Sequence, residues 1–223
     1  MVKFPIIFLA FANDAEYPSR FLKALKPERD SIKTILINYM QKGWGQFFDS
    51  ATTDPGLLTR DLNKFYNQLI IFHFSGHANG TSLAFEDDGG KKIYYNKTNL
   101  KVLLSTEKRL KLVFLNACAT QGHVEALQEI GVPAIIATQH NISDESAKVF
   151  STAFYDSIVR GNTLKQAFLK AKATIQPSQS NERIFRRSID MDIPSSNEFS
   201  WGLHIVDESI LDWKLEDEVS DLV

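Results

Sequence analysis

The segment IIFHFSGHANG, residues 70–80, starts as an apolar strand and ends in a small, polar turn that carries a second histidine. Taken with Leu69, LIIFHFS (69–75) is a strand, and comparable apolar runs recur at FPIIFLAFA (4–12), LKLVFLNA (110–117) and PAIIAT (133–138). The first of these is apolar throughout and bounded by Pro5 and the Asn13-Asp14 pair, which suits a strand buried on both faces. Shorter candidates are WGQFFDS near residue 47 and WGLHIVD near residue 203.

Helical periodicity fills the intervals. From Pro27, Ile32, Ile35, Leu36 and Tyr39 fall on one face, with proline in the first turn and Gly43 beyond the end. Leu58, Leu62 and Phe65 repeat the spacing from about Leu57, and HVEALQEIG closes at Gly131. DESAKVFSTAFYDSIVRG places Asp144 and Glu145 in its first turn, where negative charge suits the helix dipole, and ends at Gly161. TLKQAFLKAKATI is a further helix, while SLAFEDDGGKKIYY reads as a hairpin turning at Asp-Asp-Gly-Gly. The stretch from about 176 to 200 lacks periodicity and reads as a long loop. Alternating strands and helices predict an α/β sandwich around a mainly parallel sheet. Sites in such folds form beyond the carboxyl ends of the strands. That rule selects three turns, at 75–80, 116–122 and 138–144, expected along one sheet edge.

The bulk properties narrow the class. The chain has 223 residues, 43% hydrophobic and 23% charged, with a formal net charge of −2. This suits one soluble domain and offers no basic patch for direct nucleic-acid binding. No apolar run approaches the roughly 20 residues that cross a bilayer, so no membrane association is expected. The opening MVKFPIIFLAFAND lacks the pattern of a signal peptide and reads as a first buried strand. A single cysteine, Cys118, excludes an internal disulfide and suits a reducing, cytoplasmic setting.

His77 lies just past one predicted strand and Cys118 just past another, 41 residues later. A thiol becomes a nucleophile near neutral pH beside a histidine that takes its proton. Ser75, Gly76, Ala78 and Gly80 flank the histidine, and Ala117 and Ala119 the cysteine. Small neighbours let a substrate backbone approach and leave main-chain N–H groups for an oxyanion. The bland alternative is a lone cysteine acting as a small buried hydrophobe. The pair His73 and His77 suggests a metal to a pattern search, but in a continuous strand the two would stand about 13 Å apart. His73 is better read as a strand residue that helps organise the turn. His123 is an alternative base but reads as a surface or cap residue, and His140 and His204 have no supporting context. GGK at 89–91 lacks the strand-to-helix setting of a phosphate loop, and no cofactor motif appears.

HFSGHANG, LVFLNACAT and the run GVPAIIATQHNISDESAKVFSTAFYDSIVRGNTLKQAFLKAKATI together resemble the CHAT family of caspase-like cysteine proteases. PIIFLAFANDAEYPSRFLKALKPERDSIKTIL and FSWGLHIVDESILDWKL are also similar to bacterial members, so the resemblance covers essentially the whole chain. It implies a caspase–hemoglobinase fold, a three-layer α/β/α sandwich around a six-stranded, mostly parallel sheet with a short β-hairpin. It implies a catalytic dyad at His77 and Cys118, and an oxyanion hole from the N–H groups of Ala78 and Cys118. Ala78 stands where relatives often have glycine, and a main-chain donor survives the change. Asn116 and Ala119 replace the Gln and Arg of the caspase Gln-Ala-Cys-Arg-Gly signature, so aspartate specificity is not implied.

Basic-specific relatives place a carboxylate under the substrate side chain. Asp14 and Asp144 are the candidates here, with a turn residue and a helix-start residue as their plainer readings. Other relatives accept apolar side chains, and Asn116 is expected to line the pocket in either case. Arg183, Arg186 and Arg187 sit in the irregular segment, expected as a solvated loop or else a cover or activation segment. The resemblance implies a protein or peptide substrate and an activating sensor or regulatory partner, in a bacterial regulatory or antiphage-defence pathway. Family members commonly sit in larger chains, so a single domain over 1–223 also suits the catalytic portion of a longer protein. A catalytically silent interaction module is the main competitor, and retention of His77 and Cys118 counts against it. A nucleotide-binding α/β domain would need a glycine-rich turn that the first strand lacks.

Overall fold

A computed structural model describes residues 4–14, 16–50, 54–87, 89–175 and 199–220. Of the predicted loop at 176–200, residues 176–198, with the three arginines, lie outside the described residues.

The apolar runs become strands. These are β1 (Ile6–Phe11), β2 (Gln46–Asp49), β3 (Leu69–Ser75), β4 (Ser82–Glu86), β5 (Lys92–Asn96), β6 (Leu112–Asn116), β7 (Ala134–Thr138) and β8 (Trp201–Ile205). Between and after them lie α1 (Leu25–Gln41), α2 (Pro55–Lys64), α3 (Lys97–Leu104), α4 (Val124–Glu129), α5 (Asp144–Val159), α6 (Leu164–Ile175) and α7 (Asp217–Ser220). Six strands form one sheet in the order β2-β1-β3-β6-β7-β8, while β4 and β5 pair separately as the hairpin. Every pairing in the main sheet is parallel except β7 with β8.

Parallel strands are covered on both faces, which is why all seven residues of β3 are buried and why the run shows no polar alternation. Against one face pack Ile32, Leu36 and Tyr39 of α1, Phe150, Phe154 and Ile158 of α5, and Leu164 and Phe168 of α6. Leu58 and Leu62 of α2, Leu100 and Leu104 of α3, Leu127 of α4 and Phe85 of β4 fill the other. Each of these side chains contributes roughly 1.5–3 kcal/mol by leaving water. The result is a three-layer α/β/α sandwich, as the sequence pattern requires.

Two departures from the sequence reading have a plain local cause. Helix α1 starts at Leu25, two residues before Pro27, because a proline within the first turn has no intrahelical N–H bond to lose. Helix α3 was not foreseen. It rests on a capping box between Asn96 and Asn99 and on two buried leucines, too few to show a period.

Candidate active site

Because β3, β6 and β7 are adjacent and parallel, their carboxyl ends open on the same edge, and the three expected turns meet there. Ser75 ends β3, Asn116 ends β6, and the two are paired in register. His77 and Cys118 each follow by two residues, so they leave the sheet side by side. The turns that carry them are in contact. A side chain at Gly122 would collide with the carbonyl oxygen of Gly80, and one at Gly76 with that of Ala12. Glycine at these positions lets the histidine turn, the cysteine turn and the end of β1 close on one another.

His77 is oriented by the main chain. Its Nε2 lies 2.7 Å from the carbonyl oxygen of Arg20, in a short 3-10 turn after β1. A carbonyl only accepts, so the ring proton sits on Nε2 and Nδ1 is left as the basic nitrogen. No orienting residue was evident in the sequence, because a backbone carbonyl has no residue signature. Asn13 holds this loop: its Oδ1 accepts from Leu22 N at 2.8 Å and its Nδ2 donates to Leu22 O at 3.1 Å. On the other side, Ala84 N donates to His77 O at 2.9 Å and Asn79 N to Ser82 O at 3.0 Å. This is the bond pattern around an antiparallel pair of Ala78 and Leu83, and it turns the N–H of Ala78 away from the hairpin.

Cys118 is held by the third turn. Ile142 N donates to Sγ at 3.3 Å, and the thiol donates to Ile142 O at 3.7 Å. The next residue, Ala119, is left-handed, with φ 52° and ψ 38°, and its N–H reaches His140 O at 3.3 Å. That conformation costs an alanine about 1–2 kcal/mol and bends the chain sharply just after the sulfur. Two threonines lock the bend. Thr138 Oγ1 donates to Ala117 O and accepts from Thr120 N at 3.1 Å, while Thr120 Oγ1 accepts from Thr138 N at 2.9 Å.

The pocket candidates separate. Asp14 is fully buried, with Oδ2 2.5 Å from Lys92 Nζ and Oδ1 accepting from Tyr17 N at 3.1 Å. Lys92 lines a cleft of about 620 Å³ together with Glu16, Tyr17, Arg20, Lys91 and Tyr94. Asp144 begins α5, and its Oδ2 accepts from Ala24 N at 2.5 Å, tying that helix to the start of α1. Asn116 is enclosed by its neighbours. It is 0% exposed, its Nδ2 donates to Glu28 Oε1 at 2.6 Å and Ala147 O at 2.9 Å, and its oxygen accepts from Trp201 Nε1 at 3.1 Å. Its strand position turns it inward beneath the site. His73 is a strand residue packed among Phe11, Phe114 and Tyr155. His123 is buried rather than on the surface, bonded through Nδ1 to Thr120 O at 3.3 Å, and burial lowers its affinity for a proton.

The sequence model of the CHAT domain matches residues 12–213. The chain belongs to the CHAT-domain family. No curated protein is similar to this CHAT domain in sequence. Among solved structures, pro-sf-caspase-1 has a TM-score of 0.58 at 9% identity, covering 92% of this chain and 88% of its own. A secreted C11 cysteine protease from Bacteroides thetaiotaomicron reaches 0.56 at 10% identity over 79% of this chain and 60% of that one. The Arg-specific cysteine proteinase gingipain R reaches 0.54 at 13%, covering 79% of this chain and 43% of that protein. At such identities the likeness concerns the fold, which is that of the caspase-like cysteine proteases. The CHAT domain described here spans only part of the two bacterial-type proteases.

Proposed function

We propose that the chain is a cysteine endopeptidase in which His77 and Cys118 form the catalytic dyad. The observation that supports this reading is the in-register pairing of Ser75 with Asn116, since His77 and Cys118 each follow one of these neighbouring strand ends by two residues. In the proposed cycle the thiol proton passes to His77 Nδ1, and the sulfur attacks the scissile carbonyl carbon. The N–H groups of Ala78 and Cys118 receive the oxyanion. The imidazolium returns its proton to the leaving amine as the C–N bond breaks, and water then hydrolyses the thioester with His77 as base. The Arg20 carbonyl supports these roles, since it accepts from Nε2–H and stabilises the imidazolium when it forms.

The side chain before the cut is proposed to be basic, with Asp14 as its partner. Asp14 already holds one ammonium, that of Lys92, beside an open cleft. Asp144, bonded to Ala24 N, and Asn116, bonded to Glu28, are the other pocket candidates. Cys118 is 0% and His77 2% exposed, so the surrounding turns must shift before a peptide carbonyl reaches the sulfur. That burial supports activation by a partner protein or a linked sensor. The bacterial regulatory or defence setting rests on likeness to bacterial family members, and the cytoplasmic one on the lone cysteine.

Peptide-library cleavage by wild type, Cys118→Ala and His77→Ala tests the mechanism. Either substitution should lower the rate at least about a thousandfold, as removal of a covalent-catalysis partner does elsewhere. Cleavage undiminished in Cys118→Ala would sink the assignment.

A further inference from the structure

Beneath the dyad lies a buried polar cluster for which the reaction scheme has no role. Glu28, in the first turn of α1, is completely buried. Its Oε1 accepts from Asn116 Nδ2 at 2.6 Å and from Ser151 Oγ at 2.8 Å. The Ser75 hydroxyl lies 3.0 Å from both carboxylate oxygens. Among the described residues, His73 and Tyr155 are titratable groups that face the cluster. His73 Nε2 is 3.8 Å from Oε1, and the Tyr155 phenol is held above its ordinary range by burial first and by the charge of Glu28 second. One carboxylate thus ties α1 to β3, β6 and α5, and through Asn116 to Trp201 on β8.

Burying a carboxylate is unfavourable even with good donors, and apolar residues of the same volume are often at least as stabilising. The arrangement therefore calls for a reason other than stability, and the register supplies it. Ser75 and Asn116 are the paired last residues of β3 and β6, each two residues before a member of the dyad. Their side chains point to the same face and converge on the same carboxylate, Ser75 within reach of both oxygens and Asn116 on Oε1.

We propose that Glu28 is a positioning residue, a clamp on the ends of β3 and β6 that sets the spacing of His77 and Cys118. This rests on the dyad reading given above. Ser75 and Asn116 act as the arms of the clamp, and the positive end of α1 supports its charge. The carboxylate itself does not meet substrate. It acts by holding the two strand ends from which His77 and Cys118 follow.

Cys118 is the sole cysteine, so its alkylation by iodoacetamide reports on the site without a substrate. The rate is measured from pH 5.5 to 9.5 in wild type, Glu28→Ala, Glu28→Gln and Ser75→Ala, and the pH midpoint is read because it is insensitive to simple changes in access. Wild type should titrate below the roughly 8.5 of a free thiol. Glu28→Ala and Ser75→Ala should move the midpoint up towards that value and slow alkylation at pH 7 about tenfold. Glu28→Gln, which keeps an oxygen for Asn116 and Ser151, should stay within about threefold of wild type. If Glu28→Ala does not fold, Ser75→Ala carries the same comparison. A lowered wild-type midpoint that none of the variants moves overturns the clamp alone, whatever happens to thermal stability. A wild-type midpoint near 8.5 removes the dyad reading, and the clamp falls with it.

Discussion

Ala119 is the residue on which the geometry around the sulfur turns. A left-handed alanine next to Cys118 stores a small strain that the Thr120 and Thr138 hydroxyls and the His140 carbonyl hold in place. A β-branched side chain tolerates that conformation far less well than alanine. Ala119→Val should therefore lose about 1–3 kcal/mol of stability and slow Cys118 alkylation, whereas Ala119→Gly should stay within about 0.5 kcal/mol. Urea unfolding and the alkylation rate measure both effects. The same residue scale explains why Arg20 escaped notice. What matters at position 20 is its carbonyl oxygen, and any amino acid supplies one. Substituting the Arg20 side chain should leave the orientation of His77 intact.

At the scale of elements, the site exists because three turns close on one sheet edge without side chains in the way. Gly122→Ala would drive a methyl group into the Gly80 carbonyl and push the histidine turn away from the cysteine turn. The expected outcome is a loss of about 1–3 kcal/mol, as for other overpacked contacts, with a larger proportional loss of alkylation at neutral pH. Thr138→Val keeps the shape of the side chain but leaves Thr120 N–H without its hydroxyl acceptor. It should destabilise by about 1–3 kcal/mol and loosen the bend after Cys118, seen as faster amide exchange at residues 119 and 120. The strands of the main sheet were readable because burial on both faces leaves an unbroken apolar run. Helix α3 was not, since eight residues with two inward leucines fall below any periodic signal.

For the molecule as a whole, one buried and one partly buried histidine tie stability to pH. Burial lowers the proton affinity of His123 and of His204 below the ordinary 6.5. In the unfolded chain each takes a proton as pH falls through that value, while the folded form resists. Stability from this source is fully present above about pH 6.5 and declines as the pH drops towards the folded-state values. Thermal unfolding followed from pH 7.5 to 5 should show a falling midpoint, with a shallower fall in His123→Gln. An equally steep fall in that variant would assign the effect to other groups. The exposure of 0% at Cys118 belongs to this scale too, because closure of the site is a property of the assembled turns.

The order of the strands and of the longer helices, the α/β class and the two candidate reacting residues were legible in the sequence itself. Apolar runs, helical spacing and turn residues act over a few positions, and local composition records them. Only the folded chain decided that Arg20 orients His77 across 57 residues, and that Glu28 holds Asn116 across 88. It also set Asp14 against Lys92 and bonded Asn116 to Trp201. These are single hydrogen bonds and ion pairs between distant positions. They have no period and no composition, so they come into being only when the sheet brings its strand ends together.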